Sequence, residues 1–484
     1  MNVYPYCQNQ QLMFPPSIKD KLPDDHDAVI INDIIEGLEL DRLYRKIPLE
    51  GRPSYHPLMM IKVLIYAYIV GVFSSMKISR ALYESIPFIY LAGWQTPDFR
   101  TISDFRKNNL EEFKSLFKQV VDICKGLGMV KLGHVAIDGT KIKASAADER
   151  TYDEKKIERE IERLINEAKA ADEKEDALYG ATASGTDIPA DIRKREDRIK
   201  KLRQLKEKLA ESGKDKINAT DSDASFMKGR SGIKTSFNAQ TAVDEQCNII
   251  IANDVVTEAC DVGQLENMVD QAIENTGKPM DSLSADAGYS SGENLKSLED
   301  RHIDAYIPDG DYQASLRKGK DAQDNPFHKE KFTYNEQDDT YTCPAGKQLH
   351  FSYCQKRKGK KPLRLYQCSA CEGCPHREQC TRNRKGRTIA RLPHENKLKA
   401  MREKLDSPQG KAIYAKRQKV VEPVFGIIKN VMGFRAFSLR GLQKVRGEFN
   451  IVSIAYNIKK ITSFLRSQGK SASFMIKAMK YQMA

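Results

Sequence analysis

Between about Asp25 and Leu127 the apolar positions recur at helical spacing. Ile30, Ile31, Ile34 and Ile35 make one stripe at i, i+1, i+4 and i+5. Met59–Phe73 reads as a buried helix with His56-Pro57 as its start signal. Thr101-Ile102-Ser103-Asp104 offers caps for a helix entering Phe105–Leu110, and a further helix runs through Phe113–Cys124. After the breakers Gly126, Gly128 and Gly133 the period drops to two. His134–Asp138, Thr235–Val243 and Ile249–Val256 read as strands, the last two joined by a turn at Asp244-Glu245-Gln246. An amphipathic helix follows over Asp261–Thr276, then a strand at Leu283–Asp286, a helix at Gly292–Asp300 and a strand at Ile303–Ile307.

Three strands followed by alternating helix and strand is the order of a ribonuclease H-like α/β fold. The pattern divides the chain into an extended arm (1–24), a helical N-terminal domain (25–130), and a catalytic domain assembled from 131–147, 217–308 and 407–466. Two insertions interrupt that domain. Residues 148–216 are dense in both charges. Ile157, Ile161, Leu164 and Ala168 face Ile199, Leu202, Leu205 and Leu209, which predicts a charged helical hairpin turning at Gly180–Pro189. Residues 309–406 carry most of the cysteines, and 467–484 form a basic tail.

Charge sharpens this picture. The chain has 79 Lys+Arg against 66 Asp+Glu, a net charge of +13. Residues 343–400 hold 15 basic and 3 acidic side chains, and residues 440–484 hold 9 and 1, so the excess sits in the C-terminal third. That favours a polyanionic partner. The apolar stretch Leu64–Phe73 is too short to span a bilayer, and the N-terminus shows no secretory pattern. A cytoplasmic, nucleoid-associated protein without a membrane partner is expected. No Walker loop, dinucleotide fingerprint or nucleophile elbow is present.

Three carboxylates stand where a catalytic site would want them. Asp138 ends the first strand, Asp286 ends a later one before the small-residue turn Ala287-Gly288, and Glu422 lies on a helix over Tyr414–Met432 capped at Ser407-Pro408. Pro423 should bend or restart that helix beside Glu422. A single such acid is usually a cap or an ion-pair partner, but three that converge could bind two Mg²⁺ ions for phosphodiester chemistry. The blocks Ala136-Ile137-Asp138-Gly139-Thr140-Lys141, Ala285-Asp286-Ala287-Gly288-Tyr289 and Val421-Glu422-Pro423-Val424-Phe425-Gly426-Ile427-Ile428-Lys429 resemble the catalytic blocks of bacterial insertion-sequence transposases of the DDE type, in the branch with a tyrosine–arginine–glutamate–lysine helix. Gly51–Pro57 and Pro97–Arg106 resemble that group's N-terminal domain, and Phe237–Asp244 its second strand. The resemblance implies that Asp138, Asp286 and Glu422 bind two Mg²⁺ ions, and that Tyr414, Arg417 and Lys429 contact DNA phosphates. Four residues separate Arg417 from Glu422 where the pattern has three, and Gln418 takes the expected slot.

Six of the ten cysteines fall within residues 343–380, which argues for a metal in a reducing compartment and against a disulfide framework. Cys371-Glu372-Gly373-Cys374 is a two-residue knuckle. With Cys380 and the distant Cys343 it makes a tetrahedral set for a structural Zn²⁺ held in loops that have little apolar core of their own. Cys354, Cys368, His350 and His376 compete as ligands. The function implied is a DNA transposase. It would bind double-stranded DNA at its element's ends as a homodimer or higher assembly, cleave there, and join the 3′-hydroxyls to target DNA. The alternatives are a non-catalytic zinc-containing nucleic-acid-binding protein and a non-transposing nuclease of the same fold.

Overall fold

The computed structural model describes residues 17–468 except 49, 52, 180–189, 230–231, 319–325 and 358–359. Residues 1–16 of the arm, the hairpin turn and residues 469–484 of the tail therefore lie outside the described residues, and the described part of the arm holds a short 3-10 turn over Ile18–Lys21. The molecule is mixed α/β, with a helical N-terminal region and separate sheets.

The main sheet holds five strands that matter for the site: β1 (His134–Lys143), β2 (Gly232–Asp244), β3 (Ile249–Val256), β4 (Ser282–Ala285) and β5 (Asp304–Tyr306). Their spatial order is 3-2-1-4-5. β1–β2 and β2–β3 pair antiparallel, whereas β1–β4 and β4–β5 pair parallel. A short strand, Ser225–Gly229, extends the sheet alongside the start of β2. β1 does not end at Asp138 as its apolar alternation suggested. It continues to Lys143, because β2 supplies partners from Val135↔Asp244 as far as Lys143↔Ser236. What stops near Asp138 is the parallel neighbour β4, whose last pair is Ile137↔Ala285.

The N-terminal helices form with two shifts. The helix read from Met59 to Phe73 runs Pro57–Ile69, and Gly71 beyond it adopts φ +78°. The helix placed at Phe105–Leu110 instead runs Phe99–Asn108. Its cap is Asp98, whose carboxylate accepts from Thr101 N at 2.7 Å, so the supposed caps lie inside it. The next helix, α1 (Leu110–Gly126), buries Phe113, Leu116, Phe117, Val120 and Val121.

Two regions differ more. Leu442–Ser467, counted above among the basic segments, is a long helix (α3 below) buried on most of its circumference. It packs against Pro57–Ile69, α1 and β3. There Asn457 accepts from Ile250 N at 3.0 Å and donates to Ile250 O at 2.8 Å, pairing backbone groups at an irregularity of the β2–β3 ladder. The cysteine-rich insertion is not a set of loops without a core. It holds a five-stranded antiparallel meander over Thr333–Asn335, Thr340–Thr342, Gln348–Arg357, Lys360–Gln367 and Thr388–Arg391. Its buried centre is Phe332, Tyr341, Leu349, Tyr366, Cys368 and Ile389.

The charged insertion forms two helices, Glu154–Tyr179 and Ala190–Ser212. Ile157, Leu164, Leu202, Leu205 and Leu209 are buried between them, and their base is closed by pairing of Thr151-Tyr152 with Ile217-Asn218. Among the described residues no helix is long and apolar enough to cross a membrane.

Candidate active site

The parallel pairing of β1 with β4 builds the site. Ile137 and Ala285 are register partners, so the next residue on each strand, Asp138 and Asp286, emerges side by side where β4 ends. Asp138 accepts from Gly139 N at 2.8 Å, and Asp286 caps the short turn after β4 by accepting from Gly288 N at 2.8 Å. Burial pushes the Asp138 carboxyl up from 3.8 to about 6. The Arg417 guanidinium opposes that rise and the Asp286 charge adds to it. Asp286 is also raised, again by burial first.

The compensating cation comes from α2 (Pro408–Gly426), which starts at the Ser407 cap with Pro408 in its first turn. Arg417 Nη1 lies 3.1 Å from Asp138 Oδ2, with 14% and 19% of the two side chains exposed. Arg417 thus reaches Asp138 despite its irregular spacing from Glu422. Tyr414, one turn earlier, is raised by burial, lowered by Arg417 and raised again by Asp286, so it borders the same charges. Glu422 is exposed, and among the described residues it makes no hydrogen bond or ion pair. Lys429 donates from Nζ to Thr140 Oγ1 and to Lys141 O, just past Asp138 on β1.

α2 does not restart at Pro423. It stays α-helical to Gly426 and then widens into one π-turn over Ile427–Val431. Pro423 has no N–H to give to the carbonyl of Lys419. Asn248, in the β2–β3 turn, replaces it by donating to Lys419 O at 3.1 Å and Val420 O at 2.8 Å.

Sequence reasoning missed the layer beneath the aspartates. Asn238 and Gln240 lie on one face of β2, opposite Lys141 and Gly139. Both donate to Asp261 Oδ1, at 2.6 and 2.7 Å, and Lys141 Nζ stands 3.5 Å from the same oxygen. The buried Tyr289 hydroxyl closes on Gln240 Oε1. Two amides at i and i+2 between Phe237 and Val243 were the available signal, since buried amides require partners.

The donors at Asp138 and Asp286 are all oxygen, which suits a hard divalent cation, and two half-buried carboxylates with raised pKa values favour one. Among the described residues, however, no three His, Cys, Asp or Glu side chains are gathered closely enough to hold an ion.

In the meander unit Cys343, Cys368, Cys371, Cys374 and Cys380 line one cavity of about 20 Å³. Lys347 N donates to Cys343 Sγ at 3.3 Å, and Arg387 N donates to Cys371 Sγ at 3.4 Å. Burial and neighbouring thiols push Cys368 up to about 11 and raise Cys380. Thiols of this kind, with peptide N–H groups aimed at two of the sulfurs, have the chemistry a soft cation takes, but among the described residues they too are not drawn together closely enough to hold one. Cys368 joins the four cysteines expected from spacing, whereas Cys354 is exposed and neither it nor His350 lines the cavity.

No curated protein matches the chain in sequence. A solved structure, a piggyBac transposase synaptic complex with hairpin DNA, aligns at 11% identity over 96% of this chain and 81% of that one, with a TM-score of 0.34. Two family models match. Residues 16–108 fit a transposase domain of the DUF772 family, and residues 342–462 fit a transposase DDE domain, a span that contains Glu422 while Asp138 and Asp286 precede it. One transposase model on the N-terminal helices and another on the segment that carries α2 support an insertion-sequence transposase of the DDE type.

Proposed function

We propose that this chain is a transposase that binds the double-stranded ends of its element, hydrolyses the phosphodiester there, and joins the freed 3′-hydroxyls to target DNA. The observation that carries this reading is the pair Asp138 and Asp286 at adjacent parallel positions, with Arg417 between them and α2. The strand order 3-2-1-4-5, antiparallel on one side and parallel on the other, supports a ribonuclease H-like core. Asp138, Asp286 and Glu422 would hold two Mg²⁺ ions. Such ions, when bound, activate the attacking oxygen and stabilise the leaving one in an in-line displacement. Glu422 is exposed, but Lys429, two turns further along, bonds Thr140. What supports Glu422 as the third ligand is its place between Arg417 and Lys429, both of which reach β1.

Arg417 and Tyr414 would orient the scissile strand, and Lys429 would hold a neighbouring phosphate. The thiol cluster would hold one structural Zn²⁺, with Cys343, Cys371, Cys374 and Cys380 as its ligands and Cys368 beside them. The N-terminal helices and the basic meander unit would grip DNA in the bacterial cytoplasm, as a dimer or larger assembly.

The test uses purified protein and a plasmid bearing the inverted repeats that flank the gene. Mg²⁺-dependent nicking at the repeat ends and 3′-end joining are expected. Asp138→Asn and Asp286→Asn should each lose about three orders of magnitude or more in cleavage while still shifting the DNA. Wild-type cleavage by either variant would remove the carboxylate site, and cleavage without joining would leave a nuclease.

A further inference from the structure

Asp261 stands in the turn between β3 and the helix Leu265–Thr276, outside the three sequence blocks. We propose that it is a further carboxylate of the divalent-cation site, facing Asp286 across Gly288. This rests on the reading of Asp286 as a cation ligand.

Three observations carry it. The carboxylate is oriented in advance: Asn238 Nδ2 and Gln240 Nε2 fix Oδ1 at 2.6 and 2.7 Å, and the amides are themselves held, by Glu258 O at 3.1 Å and by the buried Tyr289 hydroxyl. Among the described residues Oδ2 receives no hydrogen bond. Oδ2 also looks into a gap that exists because residue 288 is glycine. A β-carbon there would stand 2.9 Å from Asp286 Oδ1 and 3.3 Å from Asp261 Oδ2, so both oxygens border one small open volume. Finally, Asn238 Oδ1 is fully buried and finds no donor among the described residues. Its Nδ2 is committed to two acceptors, so the amide cannot flip to relieve this. Asn238 Oδ1 and Asp261 Oδ1 lie 3.0 and 3.1 Å from where a β-carbon on Gly139 would be, with the Gln240 amide nitrogen nearer at 2.5 Å, in a second gap beside Asp138. Two carboxylates and a donorless carbonyl oxygen thus border glycine-made gaps. The Lys141 ammonium hydrogen-bonds Ala259 O at 3.0 Å and ion-pairs with Asp261 Oδ1 at 3.5 Å, and among the described residues no cation pairs with Oδ2. Oxygen donors of this kind are what Mg²⁺ or Mn²⁺ takes.

The experiment titrates Mn²⁺ into the full-length, DNA-free protein and follows the loss of the free-ion paramagnetic resonance signal. Asp261→Asn keeps an oxygen for the amides and removes the charge. It should weaken Mn²⁺ binding by at least about tenfold, as Asp286→Asn should. Normal binding by Asp261→Asn alongside weakened binding by Asp286→Asn would overturn the role of Asp261 and leave the site standing. Normal binding by both would remove the site itself. If Asp261→Asn does not fold by circular dichroism, Gly288→Ala decides. It deletes no carboxylate but fills the gap, so it should weaken Mn²⁺ binding with an unchanged melting temperature. Wild-type Mn²⁺ affinity in Gly288→Ala would overturn the proposal.

Discussion

Asp138 and Asp286 are 148 positions apart in sequence, and a single register pair, Ile137↔Ala285, makes them neighbours. The residue types and their small-residue turns were legible in sequence because each acid follows an apolar strand. Asp261 was not, because it sits among helix-start residues and acquires its place only when β2 brings two amides beneath it. At the opposite end of β1 the same parallel pairing traps an imidazole. His134 is buried with its two ring nitrogens at Ser282 Oγ (2.9 Å) and Ser284 Oγ (3.0 Å), and burial pushes its pKa below the ordinary 6.5. The sign follows from proton counting. Between the lowered folded pKa and 6.5 the unfolded chain binds more protons than the folded one, so stability rises with pH across that window and is lost as pH falls through it. Urea unfolding at about pH 7.5 and about pH 5.5 should show lower stability at the acid value, and His134→Gln should remove part of the difference, since its neutral amide can meet both serines. An unchanged difference in that variant would assign the acid sensitivity to other groups.

Among the elements, strands with strict alternation were readable, whereas the meander was not. Its interior is aromatic and its strands carry many cations, so no apolar stripe appears. Arg391 lies 3.6 Å from the Tyr334 ring centre and Arg364 lies 4.6 Å from that of Phe351, which lets cations cover the rings. This unit should contain about one Zn per chain by elemental analysis. Cys371→Ser should lose the metal and Cys354→Ser should keep it, because only the former lines the cavity. Metal-free protein prepared without chelator would remove the centre. α2 shows the reverse situation: Pro423 was visible, but what accommodates it was not. Asn248 supplies the hydrogen bond that the proline cannot, from a turn more than 170 residues away. Asn248→Ala should therefore destabilise the protein by about 0.5–1.5 kcal/mol, the net worth of a hydrogen bond whose acceptors are exposed or half-buried. In a Pro423→Ala background the restored N–H serves Lys419 O, so the same change should cost less. A double-mutant cycle in urea reads that coupling, and strict additivity would mean that Asn248 does not compensate for the proline.

The N-terminal helices and the α/β core are not separate globules joined by a linker. One continuous set of buried side chains runs from Leu22 through the sheet to Leu465. The reason is α3 (Leu442–Ser467), whose burial on most sides lets it serve both halves. A fully buried carboxylate fixes the junction. Glu448 accepts from the Tyr68 hydroxyl at 3.0 Å, and from Ser438 N and Leu439 N at 2.9 Å each. Tyr68 in turn accepts from Arg106 Nη1 at 2.9 Å, and the same nitrogen reaches Phe73 O at 3.0 Å. Arg106 belongs to the helix Phe99–Asn108, so this chain links the N-terminal region to the loop that follows α2. For a protein that would grip DNA with one part and cut it with another, such a link fixes the distance between grip and cut. Removing the carboxylate strands several buried donors and the Arg106 charge, which costs about 3–5 kcal/mol when one member of a buried ionic group is deleted. Glu448→Ala should lower stability by that amount in urea. Hydrogen exchange should quicken together in Pro57–Ile69, Phe99–Asn108 and Leu442–Ser467, while the meander, with its own core, keeps its protection. Faster exchange confined to Leu442–Ser467 would mean that the two halves are held together by apolar packing alone, and that Glu448 serves only its own helix.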